Sequence, residues 1–348
     1  MTITMIGLDT AKAVFQVHAV DNAGNVVIRR KIQRKDLITF FEKQEATTVV
    51  MEACGASHHW GRTLAVLGHD VKLIAPEAVK PFVKKGKKND AADAAAICTA
   101  AHQAEVKFVP VKTVEQQAIL AVHTARALLV KQQTMLANAV RSLASEFGLT
   151  VPKGIGNVEG LAEQVEEEKS LPEEARQVAK ELKGRLSELV VHIGTLETKI
   201  VHHARNDARA RRLATIPGIG PITASLIAAT VADFSVFKNA RQFAAWLGLV
   251  PRQHSTAGKT RLGRITKAGN SEIRRLLVLG ATAMLKVAGQ WNSVAGAWFR
   301  GVLERRPARL ATVALANKTA RIIWALMTHN EVYRPSGRSA QPQARAAV

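Results

Sequence analysis

Residues 2–32 read TITMIGLDTAKAVFQVHAVDNAGNVVIRRKI, and this stretch decides the fold class. β-Branched and apolar residues alternate in Thr2–Asp9, again in Val14–Val20, and once more in Val26–Ile32. Such alternation is typical of β-strands, and the cluster DNAGN at 21–25 supplies turn-forming residues between the last two segments. The stretch therefore predicts three antiparallel strands joined as a meander.

Helices and strands alternate after this meander. Leu37, Phe40 and Phe41 have helical spacing, and TTVVM at 47–51 is a short apolar run of the buried-strand type. Further patterns predict helices over 58–67 and 89–101, the latter capped by Asn89, with a strand over 71–74 between them. The order βββαβαβα is typical of a ribonuclease-H-like α/β domain, and the GxGxxG of a dinucleotide-binding domain does not follow the first strand.

The rest of the chain has mainly helical patterns. Segment 113–147 is predicted to be helical, and segment 158–203 is rich in Glu and Lys with apolar residues every three or four positions. Pro172 interrupts the second segment, and the acidic run Glu166–Glu168 would repel phosphate. We interpret this region as a long helical or coiled-coil insertion that mediates self-association. The predicted domains are 1–110, 111–205 and 206–333, followed by a disordered tail over 334–348.

The charge of the chain favours a nucleic-acid partner. The formal net charge is +21, and residues 201–348 hold 23 Lys and Arg against 5 Asp and Glu, so that 23 − 5 = +18 of it lies there. A polyanion is the natural partner of such an excess. No signal-peptide pattern and no apolar run of about 18 residues is present, so we expect a soluble, cytoplasmic protein without membrane contact. Cys54 and Cys98 are too few for a disulfide framework, and each is expected to be a small buried hydrophobe.

Four carboxylates lie where the predicted fold could bring them together. Asp9 ends the first strand, Glu52 ends the central strand, and Asp90 and Asp93 are three residues apart on one face of a helix. Clustered carboxylates need a cation, and their oxygen ligands favour Mg²⁺ or Mn²⁺, which polarise phosphates. The alternative is that each carboxylate only caps a strand or a helix. The neighbouring His58 and His59 are interpreted as structural or polar-face residues rather than ligands.

Two basic motifs follow in the C-terminal half. PGIG at 217–220 lies between apolar helical segments, as in a helix-hairpin-helix, and Gly218 and Gly220 could direct backbone N–H groups at a phosphate beside Arg211 and Arg212. An ordinary turn between packed helices remains the alternative. Further on, Ser255 lies in a predicted loop among five basic residues suited to a phosphate, namely Arg252, Lys259, Arg261, Arg264 and Lys267. From composition alone, this serine would be a hydrogen-bonding group.

Several of these motifs resemble those of one family. GLDTAK at 7–12, MEACG at 51–55 and KKNDAADA at 87–94 resemble the DEDD motifs of the insertion sequence 110/1111 (Piv-like) transposases. Segment 246–278 resembles the C-terminal transposase motif of the same family. The resemblance implies a RuvC-like N-terminal domain with an acidic tetrad at Asp9, Glu52, Asp90 and Asp93, and a mainly α C-terminal transposase domain. It also implies a serine nucleophile at Ser255, beside Thr256, although Ala257 stands where relatives commonly have glycine.

The same resemblance implies the function and the partners. An enzyme of this kind cuts and rejoins donor and target DNA for an insertion sequence, is guided by a non-coding bridge RNA, and acts as a dimer or tetramer. One alternative is a Holliday-junction resolvase that needs only the acidic tetrad and its metal ion. Another is a catalytically inert nucleic-acid-binding scaffold.

Overall fold

The computed structural model describes residues 2–83, 90–256, 259 and 261–335, and for Asp90 the backbone only. It divides into two compact units, Met1–Gln117 and Ala118–Val348. The predicted cap Asn89 and the tail beyond Pro335 lie outside the described residues. None of the helices within the described ranges is both long and apolar enough to cross a membrane.

A six-stranded sheet with the order β3-β2-β1-β4-β5-β6 forms the first unit. Strands β1, β2 and β3 are antiparallel neighbours, as the meander predicts, while β4 runs parallel to both β1 and β5. Strand β6 pairs antiparallel with β5 through only two residues. The strands are β1 Met5–Thr10, β2 Val14–Val20, β3 Val26–Gln33, β4 Thr48–Glu52, β5 Asp70–Ile74 and β6 Phe108–Val109.

Helices cover both faces of this sheet, and the predicted order of its main elements is confirmed. The helices are α1 Leu37–Glu42, α2 Ser57–Val66, the short α3 Pro76–Val79 and α4 Asp90–Ala101. On one face, Ile6 and Leu8 of the sheet pack with Trp60 and Leu64 of α2. On the other, a second cluster contains Val50 and Ile74 of the sheet and Ile97 and Ala100 of α4. Apolar side chains are therefore buried on both faces of this mixed sheet, as is usual around parallel strands such as β1, β4 and β5.

The second unit is mainly helical. The described elements between 114 and 206 are α5 Val114–Glu146, α6 Val158–Glu167 and α7 Glu173–Asn206. The predicted interruption at Pro172 is confirmed, because this proline is the N-cap of α7. The apolar stripe of α6 is buried within the chain, where Leu161 and Val165 belong to one cluster with Val140 of α5. Glu166 of the acidic run pairs with Lys183 at 2.6 Å, so its charge is balanced intramolecularly.

The remaining described elements form a single core with a small hairpin. They are α8 Ala208–Leu213, α9 Pro221–Thr230, α10 Ala240–Trp246, β7 Pro251–Gln253, β8 Leu262–Ile265, α11 Ser271–Ala283, α12 Val294–Leu303 and α13 Ala308–His329. A polar group also lies inside this unit. Ser225 Oγ is 2.9 Å from His123 Nε2 and 3.0 Å from His203 Nδ1, which ties α9 to α5 and α7. A buried hydroxyl needs such partners, because an unsatisfied one would cost about 1–3 kcal/mol.

Candidate active site

Asp9 and Glu52 lie at the C-terminal ends of two adjacent parallel strands, β1 and β4. The register of β1 with β4 pairs Met5 with Thr48 and Leu8 with Met51. Asp9 and Glu52 are the next residues of the two strands after this last pair. Both side chains are partly exposed, and both take part in polar interactions. The parallel pairing of β1 and β4 therefore brings two of the four predicted carboxylates to the same end of the sheet, where both strands end.

Helix α4 covers the face of the sheet on which these two carboxylates lie. A β-carbon on Gly7 would be 2.5 Å from Ala94 O and 2.7 Å from Cys98 Sγ, so α4 lies directly over Gly7. Alternate residues of a strand share a face, so Asp9 is on the face of Gly7 and Glu52 on the face of Val50. Val50 belongs to the cluster that includes residues of α4. Only glycine permits so close an approach at position 7.

The first turn of α4 carries the other two predicted carboxylates. Asp90 begins the helix and Asp93 follows three positions later, partly exposed. Ala94 of the next position lies over Gly7, two residues before Asp9 on β1. Among the described side chains, which do not include Asp90, no three His, Cys, Asp or Glu groups lie close enough to share a metal ion. The acidic tetrad therefore stays a prediction, with oxygen donors of the kind that Mg²⁺ and Mn²⁺ prefer.

The two predictions for cysteine have different outcomes. Cys98 is buried, as predicted, and burial raises the pKa of its thiol to about 11. The prediction that Cys54 is buried is wrong, because this residue lies exposed in the turn that follows β4. Its Sγ is 3.1 Å from Thr10 Oγ1, so it links the end of β4 to the end of β1. A turn position after a strand leaves no helix or sheet to cover it.

His58 has a structural role, as the sequence indicates. Its Nδ1 accepts the backbone N–H of Lys112 at 3.1 Å, so in a neutral ring the hydrogen is on Nε2. Lys112 Nζ also lies 3.1 Å from that Nε2. Burial lowers the pKa of Lys112, and burial followed by the charges of Lys112 and Arg62 lowers the pKa of His58 to about 4. The pair fixes the segment before α5 against α2.

Ser255 lies in the connection between β7 and β8 in the second unit. Its exposed Oγ accepts the backbone N–H of Arg261 at 3.3 Å, while His254 N donates to Arg261 O at 2.8 Å. The backbone carbonyl of Thr256 accepts the backbone N–H of Lys259 at 3.0 Å. Ala257 and Gly258 lie outside the described residues. All the predicted phosphate-binding side chains around Ser255 are exposed, namely Arg252, Lys259, Arg261, Arg264 and Lys267.

The base of this hairpin is held by contacts that sequence reasoning missed. Arg274 Nη1 donates to Leu247 O at 3.0 Å and to Ala268 O at 2.6 Å, joining the turns before β7 and after β8. A β-carbon on Gly248 would lie 2.4 Å from Ala268 N, and one on Gly269 would lie 1.9 Å from Trp246 O. Both glycines have positive φ. The glycines were a signal in the sequence, but the role of Arg274 had none, because its acceptors are backbone carbonyls.

The PGIG turn between α8 and α9 packs against α11. Gly218 has φ +84°, and a β-carbon there would be 3.1 Å from Gly280 O. Gly220 is exposed and is the N-cap of α9. Arg212 donates to Asn330 Oδ1 at 3.0 Å, and the exposed Arg211 donates to Arg205 O at 3.4 Å. These contacts use some of the N–H groups of each guanidinium. That the turn binds phosphate as a helix-hairpin-helix stays a prediction.

Two family models match the chain in the regions just described. One, described as a DEDD transposase model of the IS110 type, matches residues 6–148. The other, described as transposase IS116/IS110/IS902 family, matches residues 210–294. The first range contains all four predicted carboxylates, and the second contains Ser255 and its hairpin.

Relatives that are similar over nearly the whole chain are also transposases. A Pseudomonas aeruginosa protein named "Probable family 20 transposase" is 48% identical over 338 residues, which is 96% of this chain and 100% of the relative. The transposase for insertion sequence element IS1111A of Coxiella burnetii is 40% identical, covering 95% of this chain and 92% of its own length. The transposase for insertion sequence element IS1328 of Yersinia enterocolitica is 38% identical, covering 95% and 98%.

The fold, the basic hairpin and these relatives define the class of protein as a DNA transposase of an insertion sequence. Within that class, the chain belongs to the IS116/IS110/IS902 transposase family.

Proposed function

We propose that this transposase cuts and rejoins DNA through Ser255 and an acidic tetrad of Asp9, Glu52, Asp90 and Asp93. The observation that supports the proposal is the parallel pairing of β1 with β4, which reaches Leu8 and Met51, the residues just before Asp9 and Glu52. Asp90 and Asp93 belong to the first turn of α4. A RuvC-like, ribonuclease-H-like domain is the fold that this arrangement supports.

The serine step exchanges one phosphate ester for another. Ser255 Oγ loses its proton and attacks a DNA phosphorus, forming an O–P bond as the bond to the departing strand end breaks. The departing oxygen takes up a proton. In the second step, a hydroxyl of the strand to be joined loses its proton and attacks the same phosphorus, and the serine oxygen leaves and recovers a proton. The covalent intermediate conserves the phosphodiester, so no external energy source is needed.

The basic side chains around Ser255 would bind the phosphate and its transition-state charge. Arg252, Arg261 and Arg264 are exposed on the two strands or at their ends. Guanidinium groups bind phosphate oxygens in pairs and stay charged at all relevant pH values. Magnesium or manganese, when bound by the acidic tetrad, would polarise phosphate oxygens. The PGIG turn with Arg211 and Arg212 would add sequence-independent phosphate contacts as a helix-hairpin-helix.

The proposal extends to a guide and to an assembly. The resemblance of the motifs supports a non-coding bridge RNA that pairs with donor and target DNA, as well as a dimer or tetramer. Guidance by base pairing suits a protein whose candidate site holds phosphate-binding rather than base-reading side chains. Purification of active transposase without co-purifying RNA would contradict the guide.

Strand exchange by matched variants tests the chemistry. Protein, co-purifying RNA and supercoiled donor and target DNA are incubated with Mg²⁺, and junctions and protein–DNA adducts are measured on denaturing gels. We expect Ser255→Ala to lose both products by at least about 100-fold, because the nucleophile is gone. We expect Asp9→Asn to lose them comparably. Thr256→Ala, the control next in sequence, should retain both.

Each other outcome has a definite meaning. Full activity of Ser255→Ala would rule out the serine link, and adducts lost only in Thr256→Ala would move the nucleophile by one residue. Cleavage that survives Ser255→Ala but not Asp9→Asn would indicate a resolvase-like nuclease.

A further inference from the structure

The connection between α12 and α13 carries an arginine cluster that the proposed chemistry does not use. Residues 304–310 read ERRPARL, and every one of them is exposed. We name Arg305, Arg306 and Arg309 the α12–α13 arginine cluster. It lies beyond both matched ranges, 6–148 and 210–294.

The cluster differs from a nearby arginine that is part of the fold. Arg300 Nη1 donates to both Ala288 O and Trp291 O at 3.0 Å, which uses its charge to cap backbone carbonyls. Arg305 Nε donates to Gly301 O at 2.8 Å, which orients the guanidinium without neutralising it. Within the described part of the chain, the side chains of Arg306 and Arg309 have no hydrogen-bond or ion-pair partner. The fold therefore does not require their charges.

The positive charge of α12, α13 and their connection is destabilising when no anion is bound. Residues 294–329 contain six Lys and Arg but a single acidic residue, Glu304. Arg309 lies in the first turn of α13, which holds no acidic residue. Positive charge at a helix N-terminus opposes the macrodipole, which has a cost in stability. A bound polyanion would remove both the mutual repulsion of the arginines and this cost.

The α12–α13 connection also forms a recess, and the helices on either side of it are packed together. Arg305 and Arg306 line a recess of about 350 Å³ together with Val302. Gly296 allows α12 to approach Trp291 closely, since a β-carbon there would be 1.9 Å from Trp291 O. Lys318 Nζ of α13 lies 4.5 Å from the ring centroid of Trp298 of α12. The two helices that carry the arginines are thus fixed against each other, which lowers the entropy cost of binding.

We propose that the α12–α13 arginine cluster binds backbone phosphates of duplex DNA without reading its sequence. Arginine is suited to paired contacts with phosphate oxygens. Duplex DNA is favoured over single-stranded RNA because ERRPARL has no aromatic side chain on which unpaired bases could stack. This binding needs neither Ser255 nor the carboxylates, so it stands or falls independently of the chemistry proposed above.

A charge-matched pair of double variants tests the proposal on the full-length protein. Arg305→Gln/Arg306→Gln is compared with Arg176→Gln/Arg185→Gln, which removes the same charge from α7, where both arginines pair with glutamates. Binding to a labelled duplex of arbitrary sequence is measured by fluorescence anisotropy at salt concentrations from about 50 to 200 mM. We expect the first variant to bind roughly tenfold more weakly and its salt slope to fall by about 2, one for each lost phosphate contact. The control should keep the wild-type slope.

Further measurements keep the result unambiguous. The thermal midpoint of Arg305→Gln/Arg306→Gln should be no lower than that of the wild type, because the substitution relieves charge repulsion and removes little that supports the fold. The control should stay close to the wild type. Arg305→Lys/Arg306→Lys retains the charge and should recover most of the salt slope. Equal binding by the two Gln variants would overturn the proposal, as would a loss confined to single-stranded RNA.

Discussion

Single residues in this chain carry charge states set by burial. His123 lies inside the second unit against Ser225, and burial, followed by the nearby charges of His203 and Arg126, lowers its pKa to about 4 from 6.5. Its ring is therefore neutral in the folded protein near neutral pH. Sequence patterns could not find this residue, because its hydrogen-bond partner Ser225 is 102 positions away.

The neutral ring of His123 predicts acid sensitivity. As pH falls from 6.5 to about 4, the unfolded chain takes up a proton here that the folded chain does not. The free energy of unfolding should therefore fall in this window by about 3 kcal/mol for this group, and be retained in full above pH 6.5. Urea midpoints across pH for His123→Gln should show a shallower decline. His58, whose pKa is also lowered to about 4, should maintain part of the slope, and an unchanged slope in the variant would refute the assignment.

Helices in the second unit meet at backbone-to-backbone contacts. Gly280 lies in the interior of α11, where alanine would ordinarily be preferred. Here a β-carbon would lie 2.0 Å from Gly218 O of the PGIG turn. The sequence indicated both the turn and the helix, but the need for glycine at 280 comes from their contact. A pattern along the chain cannot reveal which helix packs on which turn.

That contact predicts opposite effects of one substitution in two helices. Gly280→Ala should lower the free energy of unfolding by about 2 kcal/mol or more, because the turn must shift. Gly184→Ala in α7, where nothing lies near the added carbon, should raise it by about 0.5–1 kcal/mol. Urea unfolding of both variants measures the difference. Stabilisation of both proteins would contradict the close packing of the PGIG turn.

At the scale of the whole molecule, the sequence predicted the elements better than their contacts. The meander, the alternation that follows it, the break at Pro172 and the family were all available from local patterns and motifs. The exposure of Cys54, the Lys112–His58 pair and the role of Arg274 were not, because they depend on atoms brought together by folding. The placement of α4 over Gly7 was predictable only in part. A glycine in a strand indicates that another segment approaches closely, but it does not indicate which segment.

The overall charge predicts how binding responds to salt. With a net charge of +21, most of it in residues 201–348, affinity for arbitrary duplex DNA should be dominated by counterion release. For a complex with about six to ten phosphate contacts, raising the salt concentration from about 50 to 200 mM would weaken binding by about 10³- to 10⁵-fold. Anisotropy titrations of the wild type measure this slope. A flat response would mean that the basic surfaces described above do not contact phosphates.

The two edges of the N-terminal sheet have one more consequence. Strand β3 presents Arg29, Arg30 and Lys31 as exposed residues at one edge, and β6 offers only two residues at the other. Strand edges without such features invite pairing with another chain, and charge and short length are the usual safeguards against it. The sheet should therefore resist amyloid-like growth and strand exchange between copies. If copies of this transposase assemble, we expect them to do so through surfaces other than these two strand edges.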